Sequence, residues 1–348
     1  GAVPAFTEAA TPQVVTVERE RFAGQQGSLG IDVKAVDARA AGEQVRARTG
    51  RLDVLAVVLE PLREALGILG IESDDAARIK KEKLMLVDYH THNSLCKHAD
   101  GTLEEYIAHA VKIGLTEIGC SDHAPMPNDF DLQHRMTIDQ FNRSYKPDVL
   151  SLREKFKGRI VVKLALEGDF YPGTEKYVKE FNSQHQFDYI IGSVHYLGEW
   201  GFDNPVFVHK YEERNVDEVY EQYYDHIKRS AASKLFDVIG HCDLVKKFGH
   251  RPSKNMEEVL REVFKVVKSA DMAVEINTSG LRKPIKEVYP NEQILKILHE
   301  YRIPLALGSD AHSPNDVGKD FDLAKELIHK YGNGRISLFT QRQRSEAS

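Results

Sequence analysis

The sequence predicts an α/β protein, folded as a distorted seven-stranded (β/α)7 barrel of the TIM-like kind. Three observations carry that expectation. Short, β-rich apolar runs alternate with longer amphipathic stretches from residue 84 onward, a pattern that means parallel strands joined by crossover helices. There are seven such units, enough to close or nearly close a barrel. Six of the seven runs also finish on a histidine or a carboxylate, and in a parallel barrel the strand C-termini open on one face, where active sites sit. An open doubly wound sheet is the alternative. The absence of G-x-G-x-x-G and P-loop motifs argues against its nucleotide-binding versions.

In chain order the runs are LMLVDY (84–89), TEIGCS (116–121), IVVKLALE (160–167), FDYIIGSV (187–194), FDVIG (236–240), MAVEIN (272–277) and IPLALGS (303–309). Each has strand length and a β-branched or aromatic bias. Helix-like stretches separate them, such as TLEEYIAHAVKIG (102–114) and NMEEVLREVFKVVKSA (255–270). Upstream the composition differs: residues 1–79 hold eight arginines and one lysine, and the rest of the chain 13 arginines and 25 lysines. Residues 1–83 therefore read as a partly helical N-terminal extension and 84–340 as the barrel. Within the extension Leu52, Leu55, Leu59, Leu62, Leu66 and Leu69 share one helical face, with Pro61 kinking or starting a helix. No chemistry is assigned to it.

The 348 residues are 41% hydrophobic and 29% charged, with a net charge of −6. That balance argues against non-specific nucleic-acid binding. No run approaches the roughly 18 apolar residues of a membrane span, and the N-terminus has neither the basic start nor the apolar core of a signal peptide. The cysteines, Cys96, Cys120 and Cys242, form no C-x-x-C pair, so a reducing cytoplasm and structural roles are expected. Cys242 alternates with His241 and should face away from it.

The strand ends carry His90 and His92, Asp122-His123, Glu167, His195, His241, and Asp310 with His312; His98 follows in the first loop. His90 and His92 are i and i+2, so an extended strand points both to one side. Imidazole with carboxylate suits Zn, Mn or Fe. The nine candidate donors are His90, His92, His98, His123, Glu167, His195, His241, Asp310 and His312, too many for one ion. With one bridging carboxylate they would serve three divalent metal ions. The other histidines fall in helix-like stretches or connections, and His134 stands beside Arg135.

His90-Thr-His92, Ser121-Asp-His123, Glu167, Gly192-Ser-Val-His195, Gly240-His241 and Gly308-Ser-Asp310-Ala-His312 resemble the motifs of the polymerase-and-histidinol-phosphatase (PHP) phosphoesterases over about residues 84–330. HRM (134–136), LEGDFYPG (166–173), GSVHYLGEWGFD (192–203), GHCDLVKKFG (240–249) and EINTSGLRKP (275–284) are similar to the histidinol-phosphatase branch. The resemblance implies a trinuclear barrel. His90, His92, Glu167 and Asp310 would hold one ion, Glu167, His195 and His241 a second, and His98, His123 and His312 a third. It implies hydrolysis of the small-molecule ester L-histidinol phosphate by a metal-bridging hydroxide, without a covalent phosphoenzyme. Arg135 and Arg282 are candidate phosphate clamps because guanidinium matches phosphate bidentately, with Lys283 third. Asp310 or a metal-bound water would protonate the leaving alkoxide. Asp122 and Asp243 would orient imidazoles, and Asp169, Asp203 or Asn277 would bind the substrate's imidazole and amine. Rival expectations are a nucleotide phosphatase or exonuclease of the same family, a metal-free scaffold, and an amidohydrolase.

Overall fold

The structure is a computed structural model. It describes residues 86–348 and two short strands nearer the N-terminus, β1 (Val14–Thr16) and β2 (Lys34–Val36). β1 and β2 pair antiparallel, Val14 opposite Val36. The leucine stripe of residues 52–69 lies outside the described residues. The chain divides into two compact units, Gly1–Ala77 and Arg78–Ser348.

The second unit is built on β3 (Val87–Asp88), β4 (Glu117–Cys120), β5 (Val161–Asp169) and β6 (Tyr189–Ser193). After the small antiparallel hairpin β7 (Tyr196–Leu197) and β8 (Trp200–Gly201) come β9 (Val238–Ile239), β10 (Ala273–Asn277) and β11 (Leu305–Gly308). Leaving out the hairpin, these strands form one parallel sheet in chain order. Its two edges meet: Tyr89 N donates to Leu307 O (2.9 Å), His92 N donates to Ala311 O (2.9 Å), and Thr91 bridges Ala311 in parallel. The expected barrel therefore closes along one short seam. Each strand lies within a few residues of its apolar run, and such runs suit strands buried on both faces.

The crossovers carry α1 (Leu103–Ile113), α2 (Lys146–Lys155), α3 (Glu175–Ser183), α4 (Val216–Ser233), α5 (Glu257–Ser269), α6 (Glu292–Tyr301) and α7 (Phe321–Tyr331). In α1 Thr102 and Glu105 form a reciprocal capping box, and Gly114 at φ +80° ends the helix in the left-handed region. Beyond α7 the chain forms a hairpin, β12 (Ile336–Thr340) and β13 (Gln343–Ala347). Phe339 packs its ring on Tyr89 and Tyr189 at 5.9 and 5.5 Å between centroids, and Arg342 Nε binds Asp237 at 2.9 Å. Among the described residues no helix is long and apolar enough to cross a membrane.

Candidate metal centre

Glu167 sits at the centre of the site. The β5 ladder runs past it to Asp169, pairing Gly168 with Gly192 and Asp169 with Ser193. Its Oε1 lies 2.9 Å from His241 Nε2, 3.4 Å from His90 Nε2 and 3.5 Å from His195 Nε2. Oε2 lies 2.9 Å from His123 Nδ1 and 3.6 Å from His92 Nε2. Asp310 Oδ1 is 3.2 Å from His92 Nε2 and 3.4 Å from His312 Nδ1. The Nε2 atoms of His98 and His312 stand 3.0 Å apart. The structure thus brings all nine proposed donors to one end of the barrel.

Local geometry explains the convergence. Thr91 turns away from the site and donates its hydroxyl to Gly119 O (2.7 Å), which leaves His90 and His92 on the opposite side. Asp310 adopts φ +51°, a left-handed conformation unusual outside glycine. Ser279 Oγ (2.9 Å) and Asn277 Nδ2 (3.4 Å) both donate to its Oδ2.

Five of the ring nitrogens turned away from the centre have partners, while that of His241 is buried without one. His92 Nδ1 meets Asp122 Oδ1 at 3.2 Å, and His195 Nδ1 meets Asp169 Oδ1 at 2.9 Å. His98 and His312 direct Nδ1 at the carbonyls of Cys96 and Asp310. His90 Nδ1 meets Glu275 Oε1 at 2.7 Å, a partner that sequence reasoning missed. The available signal was a lone acid inside the apolar run MAVEIN. Asp243, expected to orient an imidazole, instead pairs with Lys246 Nζ (2.9 Å) and accepts from Asn291 N (2.9 Å). Cys120 and Cys242 are buried in the core. Cys96 is buried too, but its thiol lies within 4.8 Å of ring nitrogens of His98 and His312.

Burial pushes the carboxyls of Glu167 and Asp310 upward, but surrounding imidazoles override it and hold both well below the usual range: His90, His123 and His195 at Glu167, and His90, His92 and His312 at Asp310. Burial pushes His90 down, and Glu275, Glu167 and Asp310 reverse this to raise it well above the usual value. His195 rises to about 9 against burial, through Asp169 and Glu167. His123 and His312 are pressed well below by burial and then by His92. A metal cation would take the place of such protons, because imidazole ligates when neutral. The donor atoms fit that role. His90 Nε2, His92 Nε2, His123 Nδ1 and Glu167 Oε2 are buried and, although His123 Nδ1 and Glu167 Oε2 stand 2.9 Å apart, no well-aligned hydrogen bond satisfies them, a costly state unless a ligand fills it.

The donors open onto a cavity of about 540 Å³ whose walls include Asp131, His134, Arg135, Asp203, Lys247 and Lys283. Arg135 is 2% exposed, with Nη2 2.5 Å from Asp169 Oδ2 and Nε 3.3 Å from Asp131 Oδ2. Lys247 is paired with Asp203 at 3.0 Å. The Lys283 side chain lines the cavity, and among the described residues its ammonium makes no hydrogen bond or ion pair. Arg282 does not reach it: its guanidinium is drawn to Asp316 (3.7 Å) and Asp320 (3.4 Å) and donates to Ser309 O (2.5 Å), because two carboxylates before α7 compete for it. Asn277 is fully buried, with Nδ2 on Glu275 and Asp310 and Oδ1 on Ser279 N, so it does not face a ligand. Asp169 is engaged by His195 and Arg135, and Asp203 by Lys247.

A family model described as the PHP domain matches residues 88–279. A probable histidinol-phosphatase of Deinococcus radiodurans is 43% identical over 258 residues, which span 74% of this chain and 98% of that protein. The histidinol-phosphatase of Bacillus subtilis is 29% identical over 261 residues, spanning 68% of this chain and 96% of that one. In fold the chain is similar to a crystal structure of histidinol phosphate phosphatase from Lactococcus lactis subsp. lactis complexed with zinc, L-histidinol and phosphate. The TM-score is 0.64 at 22% identity, over 76% of this chain and 100% of that one.

Proposed function

The chain belongs to the PHP domain family, and on that premise we propose that it is a metal-dependent phosphomonoesterase that hydrolyses L-histidinol phosphate to L-histidinol and phosphate. The observation that carries the reading is the set of buried, unpartnered donor atoms gathered around Glu167 at the floor of a cavity that also holds the unpaired Lys283. Relatives named for that activity support the substrate.

Three divalent ions would be held by His90, His92, Glu167 and Asp310; by Glu167, His195 and His241; and by His98, His123 and His312. Zinc is the first candidate, with manganese and iron as the others. Bound there, such ions supply Lewis acidity for the phosphoryl oxygens and a water acidified to a pKa of roughly 7. The protein's own groups do the rest. Lys283 offers the phosphate dianion a cation without first breaking an ion pair, and Arg135 presents Nη1, which is buried without a partner. Asp310, held as a carboxylate, serves as a donor rather than as the acid, so the leaving alkoxide takes its proton elsewhere. Asp203, paired with Lys247, and Asp131, paired with His134 and Arg135, are the cavity-wall carboxylates not assigned to an ion, and they would meet the substrate's amine and imidazole alongside those partners. A cytoplasmic location and a small-molecule substrate, not a nucleic acid, belong to the same reading.

The test is a substrate panel on the metal-loaded protein. Histidinol phosphate should give a higher kcat/KM than p-nitrophenyl phosphate, since a pocket built for imidazole and amine leaves polar groups unmet when they are missing. Equal values for every phosphomonoester would reduce the assignment to a phosphatase of this family. Faster cleavage of single-stranded DNA would make the chain a nuclease.

A further inference from the structure

β10 is the one barrel strand that brings no proposed donor to the cavity, yet its Glu275 lies directly beneath the donors of its neighbours. Glu275 is 2% exposed. Oε1 lies 2.7 Å from His90 Nδ1. Oε2 accepts from the backbone N of His241 at 2.9 Å and from Asn277 Nδ2 at 3.1 Å, and the same amide reaches Asp310 Oδ2 at 3.4 Å. The carboxylate therefore touches the first strand's donor directly, the fifth strand's donor through its main chain, and the last strand's donor through one amide.

The neighbouring strand β11 makes room for it. A Cβ on Gly308 would stand 2.1 Å from Glu275 Oε1. Glycine at 308 thus permits a carboxylate to lie against the backbone of β11.

We propose that Glu275 is a positioning residue that sets the tautomer of His90 and holds His90 and His241 in one register, so that two of the ion sites form together. As a carboxylate it offers only acceptors. A neutral His90 must then carry its proton on Nδ1, which leaves the Nε2 lone pair bare and turned toward Glu167 and Asp310. The inference rests on the donor assignment above but not on the substrate. A wild-type protein that binds its metals and ignores histidinol phosphate would overturn the substrate alone.

Glu275→Gln tests it. The amide has one acceptor and one donor, so one side of the contact is always wrong. Either an N–H faces His90 Nδ1 and drives that ring's proton to Nε2, or it faces the His241 and Asn277 donors. Cobalt-loaded Glu275→Gln should bind its ions ten- to a hundredfold more weakly, the loss typical of an outer partner of a ligand, and should show an altered visible cobalt spectrum. Glu275→Ala removes the carboxylate altogether and should move the spectrum in the same way. Wild-type cobalt affinity and spectrum in folded Glu275→Gln would overturn the proposal. If neither variant folds, nitrogen NMR of histidine in the zinc-loaded wild type decides. His90 protonated on Nδ1 supports the proposal, and His90 protonated on Nε2 overturns it.

Discussion

The carboxylate of Asp88 accepts both the backbone N–H (2.9 Å) and the hydroxyl (2.5 Å) of Ser309, 221 residues further along the chain. Gly318 N adds a third hydrogen bond at 2.9 Å and His90 N a fourth at 3.3 Å. Asp88 precedes the first pair of metal donors and Ser309 precedes the last, so this contact pins the two edges of the barrel where both deliver histidine to the site.

Replacing Asp88 with Ala strands the Ser309 and Gly318 amides, each at about 1–3 kcal/mol. We expect a loss of roughly 3 kcal/mol in denaturant unfolding, together with weaker metal binding. A variant as stable as the wild type would show that the seam does not depend on this carboxylate.

Removal of metal should abolish turnover, and metal analysis of the active protein should find about three ions per chain. The melting temperature should also fall on chelation, because a ligand bound only to the folded state adds about 2.7 kcal/mol at a hundred times its Kd. Full activity in a metal-free preparation would end the proposed mechanism.

The cations near the cavity should behave differently from one another. Lys283→Ala should lower kcat/KM roughly ten- to a hundredfold, the equivalent of a charged hydrogen bond of about 1.5–3 kcal/mol, with metals retained. Arg282→Ala should leave kcat/KM close to wild type and cost at most about 1 kcal/mol of stability, as expected for partly exposed ion pairs. The reverse ranking in steady-state kinetics would restore Arg282 as the phosphate clamp.

A fragment beginning at Arg78 should keep its turnover. Every proposed donor lies beyond that point, and the Deinococcus relative is matched over 98% of its own length by 74% of this chain. A folded fragment that lost its ions would make residues 1–77 part of the catalytic unit.

The barrel and its donors were legible because two signals coincide. Apolar runs mark the strands, and six of the seven runs stop where a histidine or carboxylate must emerge at the rim. Glu275 escaped because it stands inside a run, two residues before Asn277, where an acid reads as a flaw in a strand and not as support for its neighbours. Arg282 misled for another reason. A guanidinium next to a strand end suits phosphate, but sequence does not reveal that Asp316 and Asp320 fold back onto it. The closing hairpin also went unseen, since β12 and β13 pair with each other outside the strand–helix alternation.

That hairpin also bears on the order in which the protein is made. Neighbours in the sheet are neighbours in sequence, so a growing chain can add its strands one by one without rearranging those already paired. The seam is the exception. On a ribosome-bound chain that stops before Ser309, Asp88 is without its main partners, and the cluster around Glu167 lacks Asp310 and His312. The face of Tyr89 and Tyr189 that Phe339 covers stays open longer still, until β12 has left the ribosome. Synthesis therefore covers the bottom of the barrel last, and a chaperone would meet the molecule there.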